Sequence, residues 1–337
     1  MPTNTKLRQM GHAERVRAAL AGKTTDRPPA SMWRHYFSEE QSADGLAEAM
    51  LAHQRRFDWD YVKVNPRASY HSEPWGTKPT YSGNASPVIS GHPVRTERDW
   101  ARIGAVPLTS PVFREQLKAV ELIRRGLNGD VPFLTTVFSP VSVASRLMES
   151  EDDFMRHLRG GSNVITVALE AITDTYIAFA GAALDRGSSG LFFATTAFAT
   201  TDLMSVDEYR KLVRPWDLRL LNALPEHEFT LLHVCRGNIM LAEFADYPVH
   251  AVNWDTFAAG NPGLAAGKEL LGGKVVVGGL GRSGHILNAS PAQMYGQVQG
   301  LASAMGGSGW MLGTACTYDP EAQVGNIDAV RLAVDSL

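Results

Sequence analysis

The run Thr230-Leu231-Leu232-His233-Val234-Cys235 is an apolar, strand-like segment that ends in a His-x-Cys pair. Side chains at i and i+2 of a strand point to the same face, so His233 and Cys235 can reach a single ion. The chain has only one other cysteine, and it closes a second apolar run, Trp310-Met311-Leu312-Gly313-Thr314-Ala315-Cys316. Two ligands from one strand end and one from another leave a fourth position free, which is the layout of a catalytic zinc site. Six further β-branched or aromatic runs can be counted: Pro29–Trp33, Tyr61–Asn65, Phe133–Phe138, Leu191–Thr195, Val249–Trp254 and Lys274–Gly279. Strands that are apolar on both faces and separated by helical segments indicate a parallel sheet covered by helices, and eight of them favour a closed (β/α)8 TIM barrel.

The helical segments carry their own start signals. Ser205-Val206-Asp207-Glu208 is a capping box opening a helix to Leu224, and Ser290-Pro291-Ala292-Gln293 combines a cap, a first-turn proline and a reciprocal glutamine. Asp319-Pro320 plays a similar part for the last helix. A Gly-, Pro- and Ser-rich stretch over 66–130, with a helical run near Phe113–Leu127, reads as an insertion over the barrel mouth, and residues 1–28 read as an N-terminal helical extension. The 337 residues are then one barrel domain. Gly278-Gly279-Leu280-Gly281 lacks the spacing and position of a dinucleotide fingerprint, and Gly306-Gly307 is an ordinary helix stop.

Composition narrows the partners. At 44% hydrophobic and 20% charged residues the chain has ample material for a large core. A net charge of −3 supplies no basic field, which argues against nucleic acid and anionic membrane surfaces. Two cysteines make no disulfide framework, and Met1–Lys23 lacks the apolar core of a signal peptide, so a reducing cytoplasm is expected. The most apolar helical stretch, Val164–Leu184, contains Glu170 and Asp174 and reads as a buried helix, not a membrane span.

Taken together, these landmarks resemble the uroporphyrinogen decarboxylase superfamily, which also contains zinc-dependent corrinoid methyltransferases. The resemblance runs along nearly the whole chain. It begins with Arg15-Val16-Arg17-Ala18-Ala19-Leu20-Ala21-Gly22-Lys23 and Asp26-Arg27-Pro28-Pro29 and continues through Pro132–Met148 and Leu203–Tyr209. Val252-Asn253-Trp254-Asp255, Gly278-Gly279-Leu280, Leu312-Gly313 and Gly325-Asn326-Ile327 complete it. The sequence departs from the decarboxylases where they carry an arginine-rich motif, an aspartate after the second strand and a Gly-His-Gly segment. Here those places read Met32-Trp33-Arg34-His35-Tyr36-Phe37, Val64-Asn65-Pro66-Arg67 and Leu312-Gly313-Thr314-Ala315-Cys316. His233, Cys235 and Cys316 are instead similar, residue by residue, to the methyltransferase zinc motif.

That branch implies Zn2+ as cofactor, a small-molecule thiol such as coenzyme M in the open position, and a corrinoid as methyl donor or acceptor, either methylcobalamin or a corrinoid protein partner. A free thiol with a pKa of ~8.5 is only a few per cent thiolate near pH 7, so coordination raises the nucleophile's population. Trp33, Tyr36, Trp75, Phe138, Phe192, Phe198 and Trp254 supply aromatic surface for a dry pocket. Asp255, Tyr36 and His35 are candidate catalytic groups. Asp255 would close the zinc site or orient a ligand, unless it is a cap or a barrel ion pair. Arg34, Arg67, Glu73, Arg282 and Tyr318 are candidate substrate contacts together with Trp33, Phe138, Phe198 and Trp254, and His285 falls beside them; the bland alternative for the charged ones is a solvated βα loop. Zinc with another alkyl donor, such as a methyl ether or an epoxide, stays open. So do a metal-free decarboxylase-like lyase, a noncatalytic barrel, and monomer or homodimer.

Overall fold

In the computed structural model, which describes residues 9–195, 197–282 and 284–337 and leaves the side chains of residues 284 and 285 undescribed, eight parallel strands form a nearly closed barrel. They are β1 (Ala30–Ser31), β2 (Val62–Val64), β3 (Phe133–Phe138), β4 (Gly190–Thr195), β5 (Phe229–Val234), β6 (Ala251–Trp254), β7 (Val275–Leu280) and β8 (Trp310–Thr314). Each pairs with its sequence neighbour from β2 to β8, and β8 returns to β1. The continuous apolar runs are explained by this closure, because every strand has a lumen face and a helix-covered face, and both exclude water.

Period-two alternation sorts the side chains into two cores. Trp33, Tyr61, Leu134, Phe192, Leu231, Val277 and Met311 fill the lumen, where Val16 and Ala19 of the N-terminal helix His12–Leu20 join them. The alternate positions, among them Val62, Val64, Leu232, Val234, Trp254 and Leu312, face the surrounding helices. Full burial of one Val, Leu or Phe side chain contributes about 1.5–3 kcal/mol, so both layers anchor the strands strongly.

The seam between β1 and β2 is closed by side chains in place of a ladder. Ala30 donates its amide to Asp60 Oδ2 (2.8 Å), Asp60 donates its own to the Ala30 carbonyl (2.9 Å), and Ser31 Oγ donates to the Tyr61 carbonyl (2.7 Å). Asp60 is buried, which opposes its charge, yet the bond from His12 and the guanidinium groups of Arg27 and Arg15 hold its carboxyl far below the usual range. Arg15 reaches it at 2.5 Å and Arg27 at 2.6 Å. The charged opening motif of the chain is thus the clasp of the barrel.

Several expectations are adjusted. The first two strands are shorter than the apolar runs, because the barrel has no ladder where they meet. The segment from Ser205 to Leu224 is two helices, Val206–Leu212 and Arg214–Asn222, broken at Val213 ahead of Pro215, which cannot donate an amide to a continuous helix. Asp319 caps a local turn by accepting from Glu321, and the last helix starts later, at Val324. Both capping boxes, Ser205 with Glu208 and Ser290 with Gln293, are present. Within 66–130 the structure adds an antiparallel ribbon, Lys78–Thr80 with Val88–Gly91, that the sequence reading did not foresee. Asn84 at its turn accepts from the Phe37 amide (3.1 Å), tying the ribbon to the loop after β1. Helix Pro111–Leu127 packs beside helix Ala43–Phe57. One helix, Asn163–Asp185, is long and apolar enough to cross a membrane, but its Ile165, Leu169, Ile172, Tyr176 and Phe179 are buried in the shell around the barrel.

Candidate metal centre

Strand β5 delivers its last inward residue, His233, and the first residue beyond its end, Cys235, to the lumen side, as the period of two requires. Cys316 arrives on the loop just after β8. The ligand atoms of the three residues all lie within 4.8 Å of one another. Arg236, at φ 79°, turns the chain sharply away immediately after Cys235.

The imidazole is fixed from behind. His233 pairs across the ladder with Asn253 on β6, and its Nδ1 lies 2.6 Å from Asn253 Oδ1. Asn253 Nδ2 donates to the carbonyls of Val277 (2.9 Å) and Thr314 (3.0 Å), so its amide orientation is determined and its oxygen must accept. The proton on His233 therefore sits on Nδ1, leaving Nε2 with a free lone pair. That Nε2 is buried and has no hydrogen-bond partner among the described residues. Phe192 stacks on the ring at 5.4 Å between centroids.

The two cysteines are free, and their sulfurs lie within 4.8 Å of each other. The contact with Cys235 holds the Cys316 thiol well below the ordinary range against burial, with the Arg282 charge assisting, and the same contact pushes Cys235 up. A divalent ion held there would take both sulfurs as thiolates. Two thiolates, one neutral imidazole and a bare buried nitrogen fit zinc by donor type and by charge.

A family model described as uroporphyrinogen decarboxylase (URO-D) matches residues 12–337. The chain belongs to this family. Among curated relatives, a methylcobamide:CoM methyltransferase MtaA from Methanosarcina barkeri is 26% identical over 253 residues, covering 75% of this chain and 72% of the relative. A uroporphyrinogen decarboxylase from Xanthomonas campestris pv. campestris is 28% identical over 225 residues, covering 64% of this chain and 59% of the relative. Among solved structures, a methyltransferase from Methanosarcina mazei superposes with a TM-score of 0.83 over 97% of this chain and 99% of its own, at 23% identity, and so shares the barrel.

Around the centre, this URO-D family member distributes the other candidates unevenly. Trp33 lies in the lumen with its edge toward Phe192 (5.6 Å between centroids), and its indole Nε1 is buried without a partner among the described residues. A glycine at 313 makes room for that ring, since a Cβ there would stand 3.3 Å from it. Arg282 acts on both cysteines through its charge. Phe138 sits at the tip of β3 against His71 (4.3 Å).

Other candidates are committed elsewhere. Asp255 Oδ1 caps a turn by accepting from the Phe257 amide (2.9 Å), and Asp255 is not part of the ligand cluster. Trp254 faces outward, its indole donating to Pro262 (2.9 Å), because it is one position out of phase with Asn253. Phe198 is packed against Phe154 in the shell, and Trp75 against Tyr176. Arg34, Tyr36 and Tyr318 line a groove of about 500 Å³ between helices Ala43–Phe57 and Val324–Asp335, and none of the three ligand residues lines it. There the Arg34 guanidinium lies over the Tyr36 ring and Tyr36 bonds His53 (2.9 Å). Arg67 pairs with Glu73 and Glu115, each at 3.1 Å. His35 pairs with Glu40 (2.7 Å). The side chain of His285 lies outside the described residues.

Three residues near the centre were not singled out from the sequence. Asn253 stood inside a quoted motif without a role, and Glu40 was not named at all. The third, Lys63, had a legible signal: a lysine in the middle of a strand whose neighbours are Val62 and Val64. Its side chain is buried in the lumen with Nζ 4.6 Å from the centre of the Phe192 ring. Burial brings its ammonium down to about 7, partly countered by Cys316 and Glu40.

Proposed function

We propose that this URO-D family member is a zinc-dependent methyltransferase that moves a methyl group between a corrinoid and a thiol. The observation that carries the reading is the buried, unpartnered Nε2 of His233, anchored through Nδ1 to Asn253 and gathered with the two sulfurs within 4.8 Å. Zinc held by His233, Cys235 and Cys316 would supply a coordination position that deprotonates an incoming thiol near neutral pH and keeps it nucleophilic.

The chain's residues do the remaining work. Asn253 holds the imidazole in the tautomer that leaves Nε2 free for the ion. Phe192 and Trp33 keep the lumen side of the site apolar, which excludes water from the reacting sulfur. Arg282 adds positive charge beside the cysteines. In the net reaction the carbon–cobalt bond is exchanged for a carbon–sulfur bond, the electron pair stays with cobalt, and the thiol proton leaves to solvent. The methylcobamide:CoM methyltransferases among the relatives support a methylcobamide donor, free or carried by a corrinoid protein.

Zinc measured by elemental analysis is expected at one equivalent in the wild type and near zero in Cys235→Ala and Cys316→Ala. The zinc-loaded protein is expected to demethylate methylcobalamin in the presence of a suitable thiol, seen in the cobalamin absorbance. A carefully prepared wild type without zinc would sink the reading.

A further inference from the structure

The chain has two cysteines in 337 residues, and the fold brings both to one place. Cys235 stands one position past β5 and Cys316 two positions past β8, strands that are three places apart around the ring. Their sulfurs lie within 4.8 Å of each other, and both thiols are free. Both residues are half-buried at the barrel mouth, which leaves them within reach of a small solute. Thiols so placed have two fates: they share an ion, or they are joined to each other.

The backbone permits the second fate. The last register pairs at these tips are Thr195 with Val234 and Leu280 with Thr314, so both cysteines lie beyond the ladder. A disulfide needs its sulfurs at about 2.05 Å, and residues on loops take up such an approach more easily than residues inside a strand. Proximity also decides what oxidation yields. A cysteine oxidised alone by a peroxide becomes a sulfenic acid and runs on to sulfinic acid, whereas a second thiol held beside it captures the sulfenic acid first.

We propose that Cys235 and Cys316 are a redox modification site, closed by a peroxide into an intrachain disulfide that excludes a metal ion. One thiolate attacks the peroxide, so that a sulfur–oxygen bond forms, the oxygen–oxygen bond breaks and water leaves. The second thiolate then attacks that sulfur; the sulfur–sulfur bond forms, the sulfur–oxygen bond breaks and a second water leaves with the remaining proton. Two thiols and one peroxide thus give one disulfide and two waters, with two electrons passing from sulfur to oxygen. The disulfide carries no charge to offer a dication and leaves His233 as the one ligand of the cluster still intact. The modification rests on the positions of the two sulfurs alone; that it switches off methyl transfer rests on the zinc reading.

The test treats zinc-free and zinc-loaded wild type with one equivalent of hydrogen peroxide, then denatures, alkylates, weighs and digests the protein. Zinc-free protein is expected to lose both alkylatable thiols, to become two hydrogens lighter, and to yield one peptide pair joined through Cys235 and Cys316. It should take up no zinc until dithiothreitol restores the thiols. Loaded protein should oxidise more slowly and release one zinc per bridge, read with a chromophoric chelator. Cys235→Ser, which has no thiol to capture the sulfenic acid, is expected to gain oxygen at Cys316 instead. Stepwise oxygen gain by wild type without a joined peptide, a bridge between two chains, or oxidised protein that still takes up a full equivalent of zinc would each overturn the site. An intrachain bridge in a protein that, zinc-loaded and reduced, consumes no methylcobalamin with any thiol would uphold the modification and reject the methyl-transfer reading.

Discussion

Asn253 Oδ1 stands 2.6 Å from His233 Nδ1, while the same amide's nitrogen is held by two backbone carbonyls from β7 and β8. This one side chain couples three strands and decides which imidazole nitrogen is free. Asn253→Ala is expected to weaken zinc by roughly 10- to 100-fold through the loosened imidazole. It also leaves the Val277 and Thr314 carbonyls without this donor, at a cost of about 1–3 kcal/mol. Chelator competition and urea unfolding measure the two effects separately, and unchanged zinc affinity would remove Asn253 from the centre.

Replacing Asp60 tests the clasp of the barrel. Asp60→Ala strips a buried carboxylate from Arg15 and Arg27 and an acceptor from the Ala30 amide. Breaking a buried pair in this way costs about 3–5 kcal/mol. Because the folded-state pKa of Asp60 is depressed, the wild-type contribution is present above the ordinary carboxylate range and is lost as pH falls below it. Urea midpoints at pH 7 should separate wild type from variant widely, and the gap should narrow in acid.

The opposite sign is expected at Asp217. Its carboxyl is fully buried, meets Tyr247 (3.3 Å) and Tyr209 (3.4 Å), and is pushed up to about 7 by burial against the pull of those hydroxyls and Arg214. A raised folded-state pKa means that its stabilisation is complete below the unfolded value and drains away as pH rises toward 7. The loss by pH 8 is on the order of 4 kcal/mol. Asp217→Asn carries no charge to lose, so its stability relative to wild type should improve from pH 5 to pH 8. An identical difference at both pH values would refute the assignment.

Metal removal should spare the fold. The three candidate ligands sit at strand tips, whereas the lumen and shell cores are apolar and continuous without them. Stripping zinc with a chelator is expected to leave the far-ultraviolet circular dichroism intact and to lower Tm by the linkage of ligand binding alone. Both cysteines should then react with a thiol reagent that they resist when loaded. Loss of helical signal on chelation would make the ion structural.

Much of this molecule is written in local pattern. Eight apolar runs, two capping boxes and a His-x-Cys pair are visible because strand period, helix caps and metal spacing are properties of neighbours in the chain. The alternation that puts Leu231, His233 and Cys235 on one face is a consequence of strand geometry alone. From it the barrel and the three candidate ligands followed before any coordinates; the eight-stranded sheet bears out the barrel, and the fold gathers the three residues within 4.8 Å.

What the chain could not specify locally is where non-neighbouring polar groups end up. Trp254 and Asn253 are adjacent in sequence, yet closure of the barrel sends one to the shell and the other to the imidazole. Arg67 and Glu73 looked free for substrate until the fold joined them to each other and to Glu115. Lys63 became informative only when the fold buried it in the lumen. The sequence by itself determined the barrel strands, their order and three residues that could hold a metal ion. Only tertiary structure decided which charges are paired, which nitrogen is bare and which lysine is buried, because those depend on desolvation and on contacts between strands far apart in the chain.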